Sequence, residues 1–212
     1  MSQQNEQFDE IFDVLVVGSG CGGLTAALTA DIAAPAKVLV IEKSHLIGGT
    51  SATSGGVIWI PDNHLGKEKG AEDSIAEAKQ YLQATIPEDE FNEPLIDTYL
   101  DQGPKMVKFM EDNTDARYTS LEHYPDYFQD APGVKLGNRA LEPLPVSADT
   151  LDDDVDNLHP SGPQTIVFGR YGVNFEESHA FTTQSPGWFK LFAKIFLTYW
   201  LDWSWRIKRK RS

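Results

Sequence analysis

The residues best suited to chemistry are three glycines. Gly18, Gly20 and Gly23 stand in GSGCGG with the spacing G-x-G-x-x-G. An apolar run, Phe12 to Val17, precedes them, and the alanine-rich stretch Leu24 to Ala34 follows. Each glycine has its own task. Gly18 permits a tight turn, Gly20 lets the backbone approach a pyrophosphate, and Gly23 lets a helix pack close to a strand. The amides at the start of that helix lack intrahelical partners and can meet phosphate charge. About 20 residues on, where a ribose-binding acid belongs, Lys37–Glu42 reads KVLVIE. Glu42 is placed to accept ribose hydroxyls, and its charge disfavours a 2′-phosphate. An unliganded glycine turn is the rival reading.

A second glycine segment, GGTSATSGG over residues 48–56, comes directly after Glu42-Lys43. Its amides and hydroxyls suit a flat polar cofactor. A flexible Gly/Ser loop is the alternative, but the apolar VIWIP that follows is unlike a linker. The strand-turn-strand unit alone does not separate NAD from FAD; the second segment favours FAD. Cys21, inside the first glycine loop, reads as a small filler with no base beside it. Tyr127, in the turn sequence YPDY, is either a packing aromatic or a titrating group. The five histidines are scattered and the single cysteine lies in the glycine loop, so no metal site is expected.

The elements that must position these residues follow from the pattern. Phe12–Val17 predicts a buried strand, Leu24–Ala34 a helix, and Lys37–Glu42 a second strand in parallel. Residues 44–70 read as irregular. Ser74 with Glu77 has capping-box spacing and opens a helix whose face is Ile75, Ala78 and Leu82. Gly103-Pro104 predicts a break between two helices, Pro94–Gln102 and Pro104–Asn113. Residues 118–171 look loop-rich, with short strands at most and a solvated run at Asp152, Asp153 and Asp154. From Pro186 to Trp205, aromatics recur at helical spacing and predict one apolar face.

The chain has 212 residues, with 41% hydrophobic and 24% charged. This is ordinary for a globular protein and excludes collagen, a coiled-coil rod or a wholly disordered chain. One cysteine excludes a disulfide framework. The net charge is −14, although five of the basic residues crowd into the final RIKRKRS. A body that acidic repels phosphate backbones and argues against general nucleic-acid binding. No secretory signal or spanning stretch is visible, so a cytoplasmic setting is expected. The segment 187–211 has three readings: packing in a lobe, peripheral contact with a membrane surface, or a basic targeting signal.

DVLVVGSGCGGLTAALTA, VLVIEKSHLIGGTSATSGGVIWIP and HYPDYF together resemble the 3-ketosteroid Δ1-dehydrogenases, within the fumarate reductase and succinate dehydrogenase flavoprotein group. The resemblance implies an α/β fold: a Rossmann-like FAD-binding βαβ unit plus part of a second, mainly helical and loop-rich substrate lobe. It places a flexible start at 1–11, the N-terminal part of the FAD domain with a helical insert at 12–145, and the start of the substrate lobe at 146–212. FAD is the implied cofactor. Gly18, Ser19, Gly20, Gly22 and Gly23 would carry the pyrophosphate, Glu42 the adenosine ribose, and Lys43 the adenosine end. Gly49, Thr50, Ser51, Gly55 and Gly56 would line the inner pyrophosphate, ribityl chain or isoalloxazine.

The implied reaction is 1,2-desaturation of a 3-ketosteroid, with a C1 hydride passing to flavin N5 while a base removes the C2 proton. Tyr127 would belong to the proton-abstracting pair. Phe128 stands where relatives often carry a second tyrosine. Members of the family run to roughly twice this length or more. The chain is therefore expected to be an N-terminal portion, weak or inactive alone and prone to aggregate. Another CH–CH flavoprotein of the wider group, or a non-catalytic FAD-binding remnant, are the rival functions.

Overall fold

The computed structural model describes residues 10–34, 36–162, 166–167, 171–184 and 187–203. It divides into two compact units. The first takes the chain up to Thr53 together with Asp153–Ser161, and the second takes Ser54–Asp152 with Gly162 onward.

The first unit begins with strand β1 (Val14–Val17), helix α1 (Cys21–Ala33) and strand β2 (Val38–Ile41). β1 and β2 pair in parallel, with Val14 opposite Val38 and Val17 opposite Ile41. This is the parallel strand–helix–strand unit that the apolar runs and the glycine turn predict. The strand is not buried on both faces, however. Leu15 and Val17 are 58% and 77% exposed, and burial alternates along β1. The two-stranded sheet is packed by α1 on one face, so period-two alternation appears where a continuous apolar run suggested full burial. A one-turn helix, α2 (Gly49–Thr53), follows. Ile47 then bridges to Leu158, with its amide donating to the Asn157 carbonyl at 2.8 Å.

The second unit contains β3 (Ile58–Trp59), α3 (His64–Glu68), α4 (Ile75–Thr85), α5 (Glu93–Asn113), β4 (Tyr118–Ser120) and β5 (Ala140–Pro143). The three strands form an antiparallel sheet in the order β3-β5-β4. Its core gathers Ile60, Val107 and Leu141. A short hairpin, β6 (Ile166–Val167) and β7 (Tyr171–Gly172), leads to α6 (Phe175–Thr183) and α7 (Trp188–Leu201). Between the sheet and the hairpin the chain forms a 3-10 segment, Ala148–Asn157, which carries the acidic run.

Several expectations need correction. Residues 44–70 are not irregular: they hold α2, β3 and α3. The Asn63 side chain caps α3 by accepting from the Gly66 amide. The break at Gly103-Pro104 does not occur. Pro104 lies inside one continuous helix. Leu100, Gly103 and Val107 are buried on one face, and a Cβ on Gly103 would come within 3.2 Å of Ile60. That face sits on the core, and its packing outweighs the backbone hydrogen bond that proline removes.

The cap at Ser74 holds only in part. Its hydroxyl accepts from the Glu77 amide, yet Glu77 answers the hydroxyl rather than the Ser74 amide, which donates to Asp73 instead. Helix α6 was not expected, although Asn174 and Glu177 form a full capping box. Finally, α7 is helical as its periodicity predicts. But its buried residue is Ile195, and most of the aromatic positions lie at the surface. The basic end of the chain falls outside the described residues.

Candidate functional site

The glycine turn is built by backbone geometry. Gly18 has φ +96°, a conformation that a side chain would strain. Its amide donates to the Ile41 carbonyl at 2.7 Å, which ties the turn to β2. A Cβ on Gly23 would fall 2.1 Å from the Gly18 carbonyl oxygen and 3.4 Å from the Val16 side chain. Only glycine lets α1 start this close to β1. Gly20 is the N-cap of α1 and offers no side-chain acceptor, so first-turn amides depend on outside partners. A Cβ on Gly18 or Gly22 would meet nothing within 4 Å. The turn thus presents bare backbone around open space at a positive helix end, and this cradle fits a diphosphate.

Two residues brace the cradle. Glu42 Oε2 accepts from the Ser19 hydroxyl at 2.6 Å and from the Ser19 amide at 3.0 Å, and Oε1 accepts from the Ser44 amide at 3.0 Å. These bonds, led by the Ser19 hydroxyl, lower the Glu42 pKa from its ordinary 4.5 to about 2. Ser19 is buried, and its hydroxyl also accepts from the Gly48 amide at 2.9 Å. Ser51 is the second brace: its hydroxyl accepts from the Cys21 amide at 3.0 Å. The glycine turn and the start of GGTSATSGG are therefore drawn together, and a Cβ on Gly49 would approach Gly20 to 3.9 Å.

Of the residues singled out in the sequence, Gly18, Ser19, Gly20, Gly22, Gly23, Glu42, Gly49 and Ser51 converge here. Lys43 and Thr50 are exposed nearby in the chain. Gly55 and Gly56 belong to the second unit. There Gly56, with φ +72°, would place a Cβ 2.8 Å from Pro143, so close packing already accounts for its glycine.

The YPDY turn belongs to the second unit and is held from below by buried charge. Asp126 accepts from the Trp59 indole nitrogen at 2.7 Å, the Lys135 amide at 2.9 Å and Arg139 at 2.8 Å. Arg139 is buried and also forms a bidentate pair with Asp73 at 2.7 and 3.0 Å. Burial pushes the Asp73 pKa up, but hydrogen bonds from Arg139 and from the Asp62 amide, with the guanidinium charge, leave it below its ordinary value. The guanidinium also lies 5.4 Å from the Trp59 ring centre.

Above this network is a cavity of about 320 Å³ lined by Ile58, Trp59, Tyr81, Leu82, Tyr124 and Tyr127, among others. Its size is at the lower end of small-molecule sites. Tyr127 is 82% exposed. The Tyr124 pKa is raised, first by its hydrogen bond with Tyr127 and then by burial. Tyr124 and Tyr127 thus form a hydrogen-bonded pair of phenols at the cavity.

Sequence reasoning missed Asp126, Arg139, Asp73 and Trp59, which set this turn. Asp126 was visible inside YPDY, and Arg139 as one of few arginines. Their pairing spans 13 residues, and that of Arg139 with Asp73 spans 66. No local spacing rule reaches that far.

A family model described as "FAD binding domain" matches residues 13–156. The chain is 40% identical over 172 residues to the 4-oxocyclohexanecarboxylate 2-dehydrogenase of Sinomonas cyclohexanicum, covering 81% of this chain and 29% of that protein. It is 42% identical over 149 residues to the 3-oxosteroid 1-dehydrogenase of Mycolicibacterium smegmatis, covering 70% of this chain and 26% of that protein.

Among solved structures, the 3-ketosteroid delta1-dehydrogenase from Sterolibacterium denitrificans in complex with 1,4-androstadiene-3,17-dione superposes with TM-score 0.86 at 38% identity. That alignment covers 93% of this chain and 34% of the other. The chain thus spans about a third of the length of these relatives. With the family model matched over more than half of its residues, and with a diphosphate cradle at the head of the match, this chain belongs to the FAD binding domain family, whose cofactor is FAD.

Proposed function

We propose that this chain is part of an FAD-dependent oxidoreductase that introduces a double bond beside a ring ketone, with a 3-ketosteroid as substrate and 1,2-desaturation as the reaction. The observation that carries this reading is the pairing of a braced diphosphate cradle with a separate apolar cavity that has two tyrosines at its rim. Bound FAD supplies the hydride acceptor. The amides of Gly20, Gly22 and Gly23 hold the pyrophosphate, Gly18 and Ser19 shape the turn around it through their bonds to Ile41 and Glu42, and Glu42 takes the ribose. Its bracing bonds are compatible with that, because each carboxylate oxygen accepts more than one hydrogen bond. Lys43 flanks the adenosine end, and Gly49, Thr50, Ser51, Gly55 and Gly56 line the rest of the cofactor.

Tyr127, hydrogen-bonded to Tyr124, takes part in removing the proton from C2, which the neighbouring ketone acidifies. Apolar walls at Ile58, Trp59 and Leu82 suit a fused hydrocarbon ring.

The relative acting on 4-oxocyclohexanecarboxylate favours a second reading, a smaller ring ketone bearing a carboxylate. A carboxylate calls for an arginine. Arg139 is engaged by Asp73 and Asp126, and Arg117 donates to three backbone carbonyls. Among the described residues, neither arginine is therefore placed to hold that carboxylate. We also infer that residues 187–211 make peripheral contact with a membrane, which suits a substrate as apolar as a steroid.

The test is to express the chain and record its visible spectrum, then add 4-androstene-3,17-dione without oxygen. A flavin band that bleaches with steroid, and fails to bleach in Tyr127→Phe, supports the whole reading. A flavin band that bleaches only with the ring keto acid moves the substrate. A folded, colourless chain defeats the claim that these residues suffice to hold FAD.

A further inference from the structure

Helix α6 comes from a distant part of the chain, yet its first residue reaches the tyrosine pair. Phe175 opens α6, and its ring meets the Tyr124 ring edge to face, with 5.1 Å between centres and 80° between planes. Aromatic rings favour this arrangement, because the positive edge of one lies against the negative face of the other. Tyr124 in turn lines the cavity and is hydrogen-bonded to Tyr127.

The place of the Phe175 ring is set from the sheet. First-turn amides of a helix lack intrahelical partners. Here the Phe175 amide donates to the Glu142 carboxylate. The Glu177 amide donates to the Asn174 side chain at 2.7 Å, and the Glu177 carboxylate accepts from the Asn174 amide at 3.2 Å. Glu142 is 4% exposed and stands in β5 opposite Thr119 of β4. A carboxylate at a helix N-terminus also meets the favourable end of the helix dipole. Ala140, two residues earlier on the same strand, lines the cavity. The strand that walls the cavity therefore also fixes where α6 begins, and with it the Phe175 ring. One turn on, the His179 ring stacks with Phe175 at 6.1 Å between centres. All of these residues belong to the second unit.

The phenol pair needs such a support. The Asp126 network fixes the backbone of the turn, but the Tyr127 ring stands largely in solvent. Tyr124 is half-buried, so its ring is the better held of the two. A group that handles a proton must lie within hydrogen-bond reach of it, and a misplacement of about 1 Å costs about a hundredfold in rate.

Resting on the reading that Tyr127 takes part in removing the C2 proton, we propose that Phe175 is a positioning residue: anchored through its amide to Glu142, it holds the Tyr124 ring where the phenol meets Tyr127. Phe175 acts through Tyr124 and touches no reacting atom.

The experiment is a pH titration of the full chain by NMR, with isotope-labelled tyrosine side chains whose signals are assigned by Tyr124→Phe and Tyr127→Phe. In the parent, Tyr124 titrates above the ordinary tyrosine value, first because of its bond to Tyr127 and then because of burial. Phe175→Leu fills the space without a ring edge, and there the Tyr124 midpoint should fall back toward the ordinary value. Phe175→Tyr keeps the ring and should leave the midpoint where the parent has it. Thermal melts are taken on the same samples. A lower melting temperature in Phe175→Leu with an unmoved Tyr124 would make Phe175 a packing residue only and overturn the proposal. If Phe175→Leu does not fold, the parent decides: a nuclear Overhauser contact between the Phe175 and Tyr124 rings supports the placement, and its absence overturns it.

Bleaching of bound flavin by 4-androstene-3,17-dione completes the test. Its rate in Phe175→Leu should fall on the order of a hundredfold, with steroid affinity unchanged. An unmoved Tyr124 removes the role of Phe175 and leaves the desaturation reading intact. A parent flavin that no ring ketone bleaches, with Tyr124 still moved by Phe175→Leu, supports the placement of the ring and defeats the desaturation reading instead.

Discussion

The two units hold their functional loops in opposite ways. In the first, the glycine turn is shaped by backbone hydrogen bonds and by the absence of side chains, and α1 buries no residue fully. In the second, the YPDY turn is anchored by a buried carboxylate–guanidinium–carboxylate chain, Asp126–Arg139–Asp73, set against Trp59 and Tyr81. A phosphate cradle must offer amides and space, so it avoids bulk. A loop that must present tyrosines at a cavity rim needs a rigid foundation beneath it, and buried ionic groups supply that when hydrogen bonds from other groups, here the Trp59 indole and the Lys135 and Asp62 amides, satisfy the carboxylates as well.

Breaking the ionic foundation should have the largest effect. Asp126→Ala leaves Arg139 buried with one partner fewer and frees the Trp59 indole nitrogen. The expected loss is about 3–5 kcal/mol, read by chemical denaturation. A loss near zero would mean that solvent reaches the network and that the contrast between the units is false.

Gly23→Ala should come next. The new Cβ would clash with the Gly18 carbonyl, so α1 must move away from β1. A cost of about 1–3 kcal/mol is expected, together with loss of bound flavin. Gly22→Ala sharpens the point, because its Cβ meets nothing in the protein. That variant should fold as well as the parent, and a lower flavin content would place the cofactor against Gly22.

Ser74→Ala removes the one acceptor that caps α4 and should cost about 1 kcal/mol, with no change in flavin content.

The smallest effect is the pH dependence from Glu42. Its folded pKa lies at about 2 against an ordinary 4.5. Its bracing bonds therefore stabilise the fold fully above pH 4.5 and are lost as pH falls from there toward 2. Thermal melts should show this acid-side decline in the parent and a flatter profile in Glu42→Gln. Identical profiles would show that the Ser19 brace does not depend on charge.

The fold was legible wherever its cause is local. GSGCGG between two β-branched runs dictates strand, turn and helix because φ/ψ freedom and first-turn amides act over a few residues. The helical repeat of α7 and the Ser74 cap are of the same kind. Other features follow from packing that no window of residues records. The Gly103-Pro104 break vanished because one helical face spans the core at Leu100, Gly103 and Val107. The alternating exposure of β1 depends on which face α1 covers.

The residue types by themselves determined a strand, glycine turn and helix, with Glu42 after the second strand, and a tyrosine-bearing turn, since these depend on backbone chemistry at fixed short spacing. Only the tertiary structure decided that Asp126 is bound by Arg139, Trp59 and the Lys135 amide, that Tyr124 pairs with Tyr127, and that Ile195 is the residue α7 buries. Each of those depends on where distant segments of chain meet, and burial and charge pairing there are settled by the whole fold rather than by spacing along it.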